Sequence, residues 1–493
     1  MRYIEVLKNR YRLIVKYLGI LTIAVGFFLL LPLLFLVFYP SEIDHLNYFL
    51  WPALLAISLG LIFWKFGKNN STDVILSLEE GGIIVLGAWI IAILFSSFPF
   101  LLADKLNFTN AIFEAVSGWT TTGLSVINEA ETSNLFLLWR SLMQFFGGAG
   151  LAVIMLSAII GPHGLGLYQA EGRSDKLLPH VRRSTKLIMT IYSGYTLAGI
   201  VLYWLAGMSL FHAFNHSIAA LSTGGFSTKV ASIGAWNSIS IELITYILML
   251  LGTINFATHY VLLRGDYKTF FKNGEIRILT FLMTFFIPII AYFSLQGLYE
   301  SLGQAWRVSI FSVISGLSTT GFSIEVFSNW NDFGILAMVI LMLIGGGTGS
   351  TAGGIKLYRI YLSFKSLVWN LKSHFQPENI VVKNYIWRGE KKLYIEPGHV
   401  REIANYILLY LITYFTGVLI FLTQGYKLQE SMFEFASALS TVGLSIGITA
   451  PDAPKIILWT EIVGMTLGRL EFFVIFFATV KLIRDLKLIA RSN

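Results

Sequence analysis

Apolar stretches of two lengths alternate along this sequence. Two long stretches, at 17–39 and 49–66, come first. One order then recurs four times: a long apolar stretch, a short half-polar run, a Ser/Thr-Gly motif and a second long stretch. About 20 apolar residues are needed for a helix to cross a bilayer. The pattern predicts an all-α polytopic membrane protein with ten transmembrane helices. The pattern also predicts that four pseudo-symmetric helix–pore-helix–filter–helix repeats surround one central pore and that two N-terminal helices precede them.

Each repeat is predicted from three segments. Repeat one uses 80–103, 109–119 and 135–160; repeat two 184–208, 210–221 and 238–263; repeat three 275–297, 303–317 and 332–371; repeat four 401–423, 428–439 and 455–485. The predicted organisation is a two-helix extension at 1–70, pore repeats at 71–170, 171–265 and 266–375, a cytoplasmic linker at 376–400, and the fourth repeat at 401–493.

The main chemical signal is the motif that follows each short run. Inward-pointing backbone carbonyls can replace the water around an alkali cation, and glycine permits the backbone angles that this requires. Four copies at matched places are unlike the single Ser/Thr-Gly runs found in ordinary turns or helix-packing faces. The sequence predicts a cation filter formed by Thr121, Thr122 and Gly123; Thr223, Gly224 and Gly225; Thr319, Thr320 and Gly321; and Thr441, Val442 and Gly443.

The position nine residues before each final glycine also repeats. It holds Glu114, His216, Ser312 and Glu434. Ionisable groups within a membrane are costly and usually functional. Two interpretations remain open: these side chains support the filter from behind, or they reach water in an outer vestibule.

Repeat three contains a glycine-rich stretch within its second long helix. Six of the ten residues at 345–354 are glycine, and each costs a helix about 1 kcal/mol relative to alanine. We expect the helix to break there and form an intramembrane gating loop below the filter. A close helix-packing face is the alternative. The candidate gate residues are Gly345, Gly346, Gly347, Gly349, Gly353 and Gly354.

Arg469 lies deep inside the last predicted span. An unpaired arginine there costs at least about 2.5 kcal/mol, so its side chain must face water or a partner. One interpretation places it in the pore, where its fixed charge would hinder cations. The other is a structural ion pair with Glu471 or Glu461.

Composition and charge agree with a membrane protein. Hydrophobic residues make up 55% of the chain and charged residues 13%, and no cysteine is present to form a disulfide. Most of the 36 Lys and Arg residues fall on one side of the predicted spans. The positive-inside rule then places both termini in the cytoplasm and all four motifs outside. Because the basic residues are spread over separate loops, nucleic-acid binding is not expected, and the scattered acids indicate no enzyme active site.

Several stretches resemble the Trk/Ktr/HKT superfamily of potassium transporters, most closely its TrkH branch. Gln144–Gly150 is similar to the family's second helix of repeat one, and Leu167–Glu171 to the loop that follows. Gly345–Lys356 is similar to its intramembrane loop, and Gly468–Glu471 to its last-helix signature. The fourth motif departs from many TrkH members in being closer to the other three.

The resemblance implies potassium uptake across the plasma membrane of a prokaryote, with K⁺ carried and Rb⁺ and Na⁺ as further permeant ions. It implies no covalent cofactor. A homodimer and a cytoplasmic nucleotide-binding regulator of the TrkA type, forming an RCK ring, are expected partners, together with the lipid bilayer. It also implies that Arg469 lies in the pore beside the glycine-rich loop. The alternative is a sodium-permeable or ion-coupled secondary cation transporter of the same superfamily.

Overall fold

The computed structural model describes residues 2–67, 77–150, 181–377, 384–388 and 391–490. Its α-helices, in chain order, are α1 Arg2–Leu30, α2 Leu46–Phe66, α3 Leu78–Leu102, α4 Phe108–Trp119, α5 Asn134–Ala149, α6 Val181–Leu205, α7 Leu210–Leu221, α8 Ile239–Thr253, α9 Phe256–Leu263, α10 Tyr267–Lys272, α11 Gly274–Ile290, α12 Leu302–Ser318, α13 Asp332–Ile344, α14 Leu357–Ser373, α15 Pro397–Thr423, α16 Leu428–Leu439, α17 Lys455–Leu470 and α18 Phe472–Ala490.

The predicted helical polytopic membrane fold is confirmed. Within the described residues, six helical segments are long and apolar enough to cross a membrane, and two bent helix pairs pass the same test when each pair is taken together. The other two predicted spans are 135–160 and 332–371. Residues 151–160 lie outside the described part of the chain, and 332–371 is interrupted after α13.

Four short helices occupy the positions of the predicted pore helices: α4, α7, α12 and α16. Three of them begin at a polar residue that accepts a hydrogen bond from a backbone N–H of the first turn. These caps are Asn107, Ser209 and Ser301. Such caps satisfy amides that have no partner within the helix. In α16, the carboxylate of Glu430 accepts from the backbone N–H of Lys427 at 3.2 Å.

The two N-terminal helices form a tight antiparallel pair. A side chain added at Gly19 would lie 2.7 Å from the carbonyl oxygen of Gly60, and the reverse contact has the same length. Small residues let membrane helices approach this closely. The helix α1 begins at Arg2 rather than near residue 17, because the basic residues that precede the apolar stretch are good helix formers and extend it.

Two spans predicted as continuous helices are instead broken. The segment 238–263 bends by 112° between α8 and α9, and 455–485 bends by 100° between α17 and α18. At the first break, Asn255 starts a new helix by accepting from the backbone N–H of Ala257. At the second, Glu471 has a left-handed φ of 62° that ends the helix. Neither break contains a proline or glycine. The apolar pattern alone therefore predicted two continuous helices.

The predicted interruption of repeat three is present between α13 and α14. The predicted cytoplasmic linker contains regular structure that sequence analysis missed: Tyr385–Arg388 and Lys391–Tyr394 form a two-stranded antiparallel hairpin. Leu167–Glu171, which carried part of the family resemblance, lies outside the described residues.

Candidate ion pathway

The four motifs share one unusual backbone conformation. Their second residues, Thr121, Thr223, Thr319 and Thr441, have φ between 51° and 56°. A β-branched residue rarely adopts a left-handed φ, and such strain is retained where the surrounding structure imposes it for function. The final glycines have φ between 72° and 96°, which glycine tolerates readily.

The final glycines form a closed ring in repeat order. A Cβ atom built on each glycine would collide with a backbone carbonyl oxygen of the next repeat, and the fourth repeat meets the first. The contacts join Gly123 to Gly224 O, Gly225 to Thr320 O, Gly321 to Val442 O and Gly443 to Thr122 O. We call Gly123, Gly225, Gly321 and Gly443 the four-glycine ring. Its backbones approach so closely that a side chain would have to displace them.

Equivalent hydrogen bonds attach each motif to its pore helix. In every repeat, the backbone N–H before the final glycine donates to a carbonyl five residues earlier in the helix. The pairs are Thr122 to Ser117 at 2.9 Å, Gly224 to Ala219 at 2.8 Å, Thr320 to Ser315 at 3.0 Å and Val442 to Ser437 at 2.8 Å. The C-terminal ends of four helices therefore meet at the ring, and their partial negative charge favours a cation there.

A cavity of about 230 Å³ opens on one side of the ring. All four ring glycines line it, together with Glu129, Lys229 and Glu325. Because the four motifs share this cavity, a cation that entered it would reach all four glycines at once.

Side chains nine residues before three of the glycines hold the loops behind the ring. Glu434 accepts from the Ser445 hydroxyl at 2.6 Å and from the Ile446 backbone N–H at 2.8 Å. Glu114 accepts from the backbone N–H of Val126 at 3.1 Å, and His216 Nε2 lies 3.0 Å from Ser227 Oγ. Of the two interpretations left open by the sequence, this geometry matches support from behind. Ser312 is buried at the corresponding place in repeat three.

Arg140 is a site residue that sequence reasoning did not single out. Its side chain is 1% exposed, and its Nε donates to Glu114 at 2.6 Å. The guanidinium also donates to Ser227 O at 3.2 Å and lies 4.1 Å from the centroid of the Phe226 ring. Arg140 thus ties repeat one to the loop of repeat two. An arginine inside the predicted span 135–160 was the available signal.

Gln144 makes a second contact between the same repeats. Its Nε2 donates to Gly224 O at 2.5 Å, and its Oε1 accepts from the backbone N–H of Phe226 at 3.3 Å. The side chain therefore fixes the peptide before the second ring glycine. The sequence contained Gln144 only as the start of a stretch that resembled the family.

The glycine-rich stretch contacts motif residues that precede the ring glycines. The backbone N–H of Gly353 donates to Thr319 Oγ1 at 2.7 Å, and a Cβ on Gly353 would collide with Ser440 O and Thr441 Oγ1. Thr351 Oγ1 donates at 3.0 Å to Leu221 O at the end of a pore helix. One loop of repeat three therefore touches the motif regions of repeats two, three and four.

Arg469 binds the same loop. Its Nη1 donates to Thr351 O at 2.5 Å, and its Nη2 donates to Gly147 O at 2.6 Å. The acids considered as its ion-pair partners make other bonds: Glu471 accepts from Arg359 at 2.6 Å, and Glu461 Oε1 lies 2.9 Å from Thr449 Oγ1. Arg469 therefore binds the loop between α13 and α14 directly and connects it to the end of α5 through Gly147 O.

Lys356 brings a second cation to this loop. Its Nζ donates to Ala352 O. The other side of the loop is held by Glu275, which accepts from the backbone N–H of Thr348 at 2.9 Å. Asn255, at the break between α8 and α9, donates to Thr348 O. The broken span of repeat two thus supplies a support for the loop of repeat three.

Comparison with known proteins decides the family. The profile of the TrkH family, described as a cation transport protein, matches residues 54–486. The chain belongs to the TrkH family. It is 30% identical over 479 residues to an uncharacterised cation transporter of Methanocaldococcus jannaschii, with 94% of this chain and 96% of that protein covered.

Two other relatives carry more specific names. The chain is 29% identical over 484 residues to the Trk system potassium uptake protein TrkH of Halomonas elongata, covering 94% of this chain and 97% of that protein. The crystal structure of the potassium transporter TrkH from Vibrio parahaemolyticus superposes with a TM-score of 0.82 at 27% identity, covering 96% and 98% of the two chains. The family recognised from the sequence is confirmed. The chain is a multi-pass membrane protein of a transport family and not an enzyme.

Proposed function

We propose that this protein takes up potassium across the plasma membrane through the four-glycine ring. The observation that carries the proposal is the ring itself, in which a Cβ atom on each final glycine would collide with a backbone carbonyl oxygen of the next repeat. Carbonyls arranged in this way can replace the water around a dehydrated K⁺. The names of the related potassium uptake proteins support the same ion. Rb⁺ follows K⁺, and Na⁺ passes less readily.

The intramembrane loop serves as the gate. Gly345, Gly346, Gly347, Gly349, Gly353 and Gly354 give it a backbone that can move, and Arg469 holds it across the pathway. Arg469 and Lys356 also oppose cations by charge, since both reside on the loop side of the ring. Opening requires that Arg469 release Thr351 O, or that the loop shift together with it.

The full-length protein reconstituted into proteoliposomes tests the function. We expect Rb⁺ to enter down its gradient and K⁺ to compete with it, while choline is excluded. Coupling to protons or sodium would appear as Rb⁺ accumulation driven by the coupling ion alone, and would favour the secondary-transporter alternative. Absence of any cation flux from correctly folded protein would reject the proposed function.

Regulation is assigned to the cytoplasmic side. We infer that a nucleotide-binding regulator of the TrkA type docks on the basic segment between Lys356 and Arg401, and that the transporter works as a homodimer. In this segment the hairpin Tyr385–Arg388 and Lys391–Tyr394 packs beside α11, and Lys272 at the end of α10 has its Nζ 5.2 Å from the Trp387 ring centroid. Co-purification that survives joint neutralisation of Lys383, Arg388, Lys391 and Lys392 would contradict docking there.

A further inference from the structure

Two fully buried carboxyl groups lie behind the motif of repeat four. Glu434 on α16 and Glu461 on α17 are both 0% exposed. The Thr449 hydroxyl stands between them, with its Oγ1 at 2.6 Å from Glu434 Oε1 and 2.9 Å from Glu461 Oε1. One hydroxyl therefore links two acids away from water.

The number of hydrogen-bond donors that face each carboxyl group indicates whether that group is ionised or protonated. Glu434 accepts from the Ser445 hydroxyl and from the backbone N–H groups of Ile446 and Thr449, a set that satisfies an ionised carboxylate. A threonine hydroxyl carries a single hydrogen, so Thr449 can donate to only one of the two acids. Glu461 Oε2 has no hydrogen-bond partner among the described residues. An ionised Glu461 would therefore be a buried charge with no donor of its own, which is strongly unfavourable.

Repeat one has an arginine at the position that Glu461 occupies in repeat four. Glu461 is the seventh residue of Lys455–Leu470, and Arg140 is the seventh residue of Asn134–Ala149. Both face the acid that precedes their ring glycine by nine residues. In repeat one the acid is neutralised by the Arg140 guanidinium at 2.6 Å. In repeat four a second acid replaces the arginine, and a proton can supply the missing positive charge.

We propose that Glu461 is a neutral carboxylic acid that holds one proton behind the repeat-four motif. Its O–H donates to Thr449 Oγ1, and the Thr449 hydroxyl donates in turn to the Glu434 carboxylate. Thr449 also lines the cavity outside the four-glycine ring. Only the Thr449 hydroxyl therefore separates the proton from this cavity, and the proton exchanges with water there. This chain of donors makes Glu461 a proton-binding site in addition to the ion pathway.

Other titratable groups nearby are already engaged or lie at the rim. Tyr426 and Asp452 belong to the surrounding loops, and the charge of Asp452 acts on the Tyr426 hydroxyl together with those of the two glutamates. On α4, Glu114 pairs with Arg140. On α15, the Tyr410 and Tyr414 hydroxyls bond to Ser440 Oγ and Met432 O. Lys455 and Arg469 lie at opposite ends of α17 itself, and Lys481, Arg484 and Asp485 lie far along α18.

Loss of the proton would place two negative charges beside the loop that follows Gly443. We expect ion flux to change as the external medium becomes alkaline. A Glu461→Gln variant keeps a donor toward Thr449 and cannot ionise, so it should behave as the permanently neutral state. Glu430→Gln is the matched control, because Glu430 lies on α16, the helix of Glu434, but is 29% exposed and pairs with Lys427.

The test uses infrared spectroscopy of the full chain in lipid at neutral pH. A buried protonated carboxyl gives a C=O stretching band separate from carboxylates. We expect Glu461→Gln to lose one such band and the dependence of Rb⁺ flux on external pH, while Glu430→Gln keeps both. A protonated-carboxyl absorption in Glu461→Gln that is unchanged from the wild-type protein would overturn the proposal. The infrared result does not depend on which cation is carried, so it can fail independently of the proposed function.

A second measurement needs no mutation. An apolar carbodiimide reacts with carboxyl groups that are protonated and shielded from water. Peptide mass spectrometry of the treated wild-type protein should find the adduct on Glu461 and not on Glu434. Adduct on Glu434 alone, or no adduct on either acid at acidic and at neutral pH, would show that Glu461 does not carry the proton.

Discussion

Single residues close the four-glycine ring, and Gly123 shows how little space remains. A serine there would bring its Cβ against Gly224 O and would have to adopt a φ of 93°. Left-handed backbone costs a non-glycine residue roughly 1–2 kcal/mol. The ring must therefore widen or shift on that side, and the new hydroxyl can displace the carbonyls proposed as cation ligands.

We predict that Gly123→Ser shifts the ratio of K⁺ to Na⁺ flux toward sodium in a protein that still folds. Gly207→Ser is the matched control, because Gly207 has a φ of 103° but no atom within 4 Å of the place that a Cβ would occupy. Ion fluxes in proteoliposomes, measured with each cation in turn, check the ratio. An unchanged ratio in Gly123→Ser would remove Gly123 from the selective ring.

Arg140 is expected to stabilise the folded protein, in addition to tying repeat one to the loop of repeat two. Removal of one partner from a buried ion pair costs about 3–5 kcal/mol, because the other charge remains buried. We predict that Arg140→Met lowers the free energy of unfolding in detergent by this amount. The double variant with Glu114→Gln should lose less, since no buried charge is left.

Denaturant unfolding followed by tryptophan fluorescence provides the measurement. Lys427→Met is the control, since Lys427 is 78% exposed and its pair with Glu430 spans 3.6 Å. Equal losses for the single and double variants would mean that the Arg140–Glu114 contact contributes little.

At the level of elements, broken helices support the loop below the ring. The break between α8 and α9 provides Asn255, and the break after α17 leaves Arg469 at the end of its helix. Backbone that departs from a helix at membrane depth must be covered by protein or water. Here the breaks and the loop satisfy one another's polar groups, through Thr348 O and Thr351 O.

We predict that Arg469→Ala raises Rb⁺ flux, because it removes both the bond to Thr351 O and the positive charge beside the pathway. Shortening the loop between Gly346 and Gly353 should act in the same direction. Arg484→Ala is the control, since Arg484 is 60% exposed near the chain's end. Unchanged or lower flux in folded Arg469→Ala would indicate that the arginine stabilises the closed structure without limiting conduction.

At the level of the whole molecule, charge predicts which side each loop faces. We expect a single cysteine at Lys268 to react only from the cytoplasm and one at Glu131 only from outside. The chain contains no cysteine of its own, so each label reports one position. Impermeant maleimide applied to intact cells and then to opened membranes checks both. External labelling at Lys268, or at an introduced cysteine within 372–377, would reverse the orientation.

The sequence alone was sufficient for the family, the helical fold and the four matched motifs. Hydrophobic length reports membrane crossing, and a motif repeated at matched places is visible without coordinates. The sequence also predicted the interruption at 345–354, because glycine lowers helix stability through local backbone freedom. These features depend on neighbours along the chain, which a sequence displays directly.

Tertiary structure decided which distant groups meet. The ring joins glycines from four repeats, and the partners of Arg140, Arg469 and Glu461 lie 26, 118 and 12 residues away. The breaks at Asn255 and Glu471 likewise arise where a polar side chain or backbone finds a partner across the fold. Burial favours such partnerships strongly, because an unpaired polar group within the membrane is costly. Which partner satisfies it depends on packing in three dimensions and not on local composition.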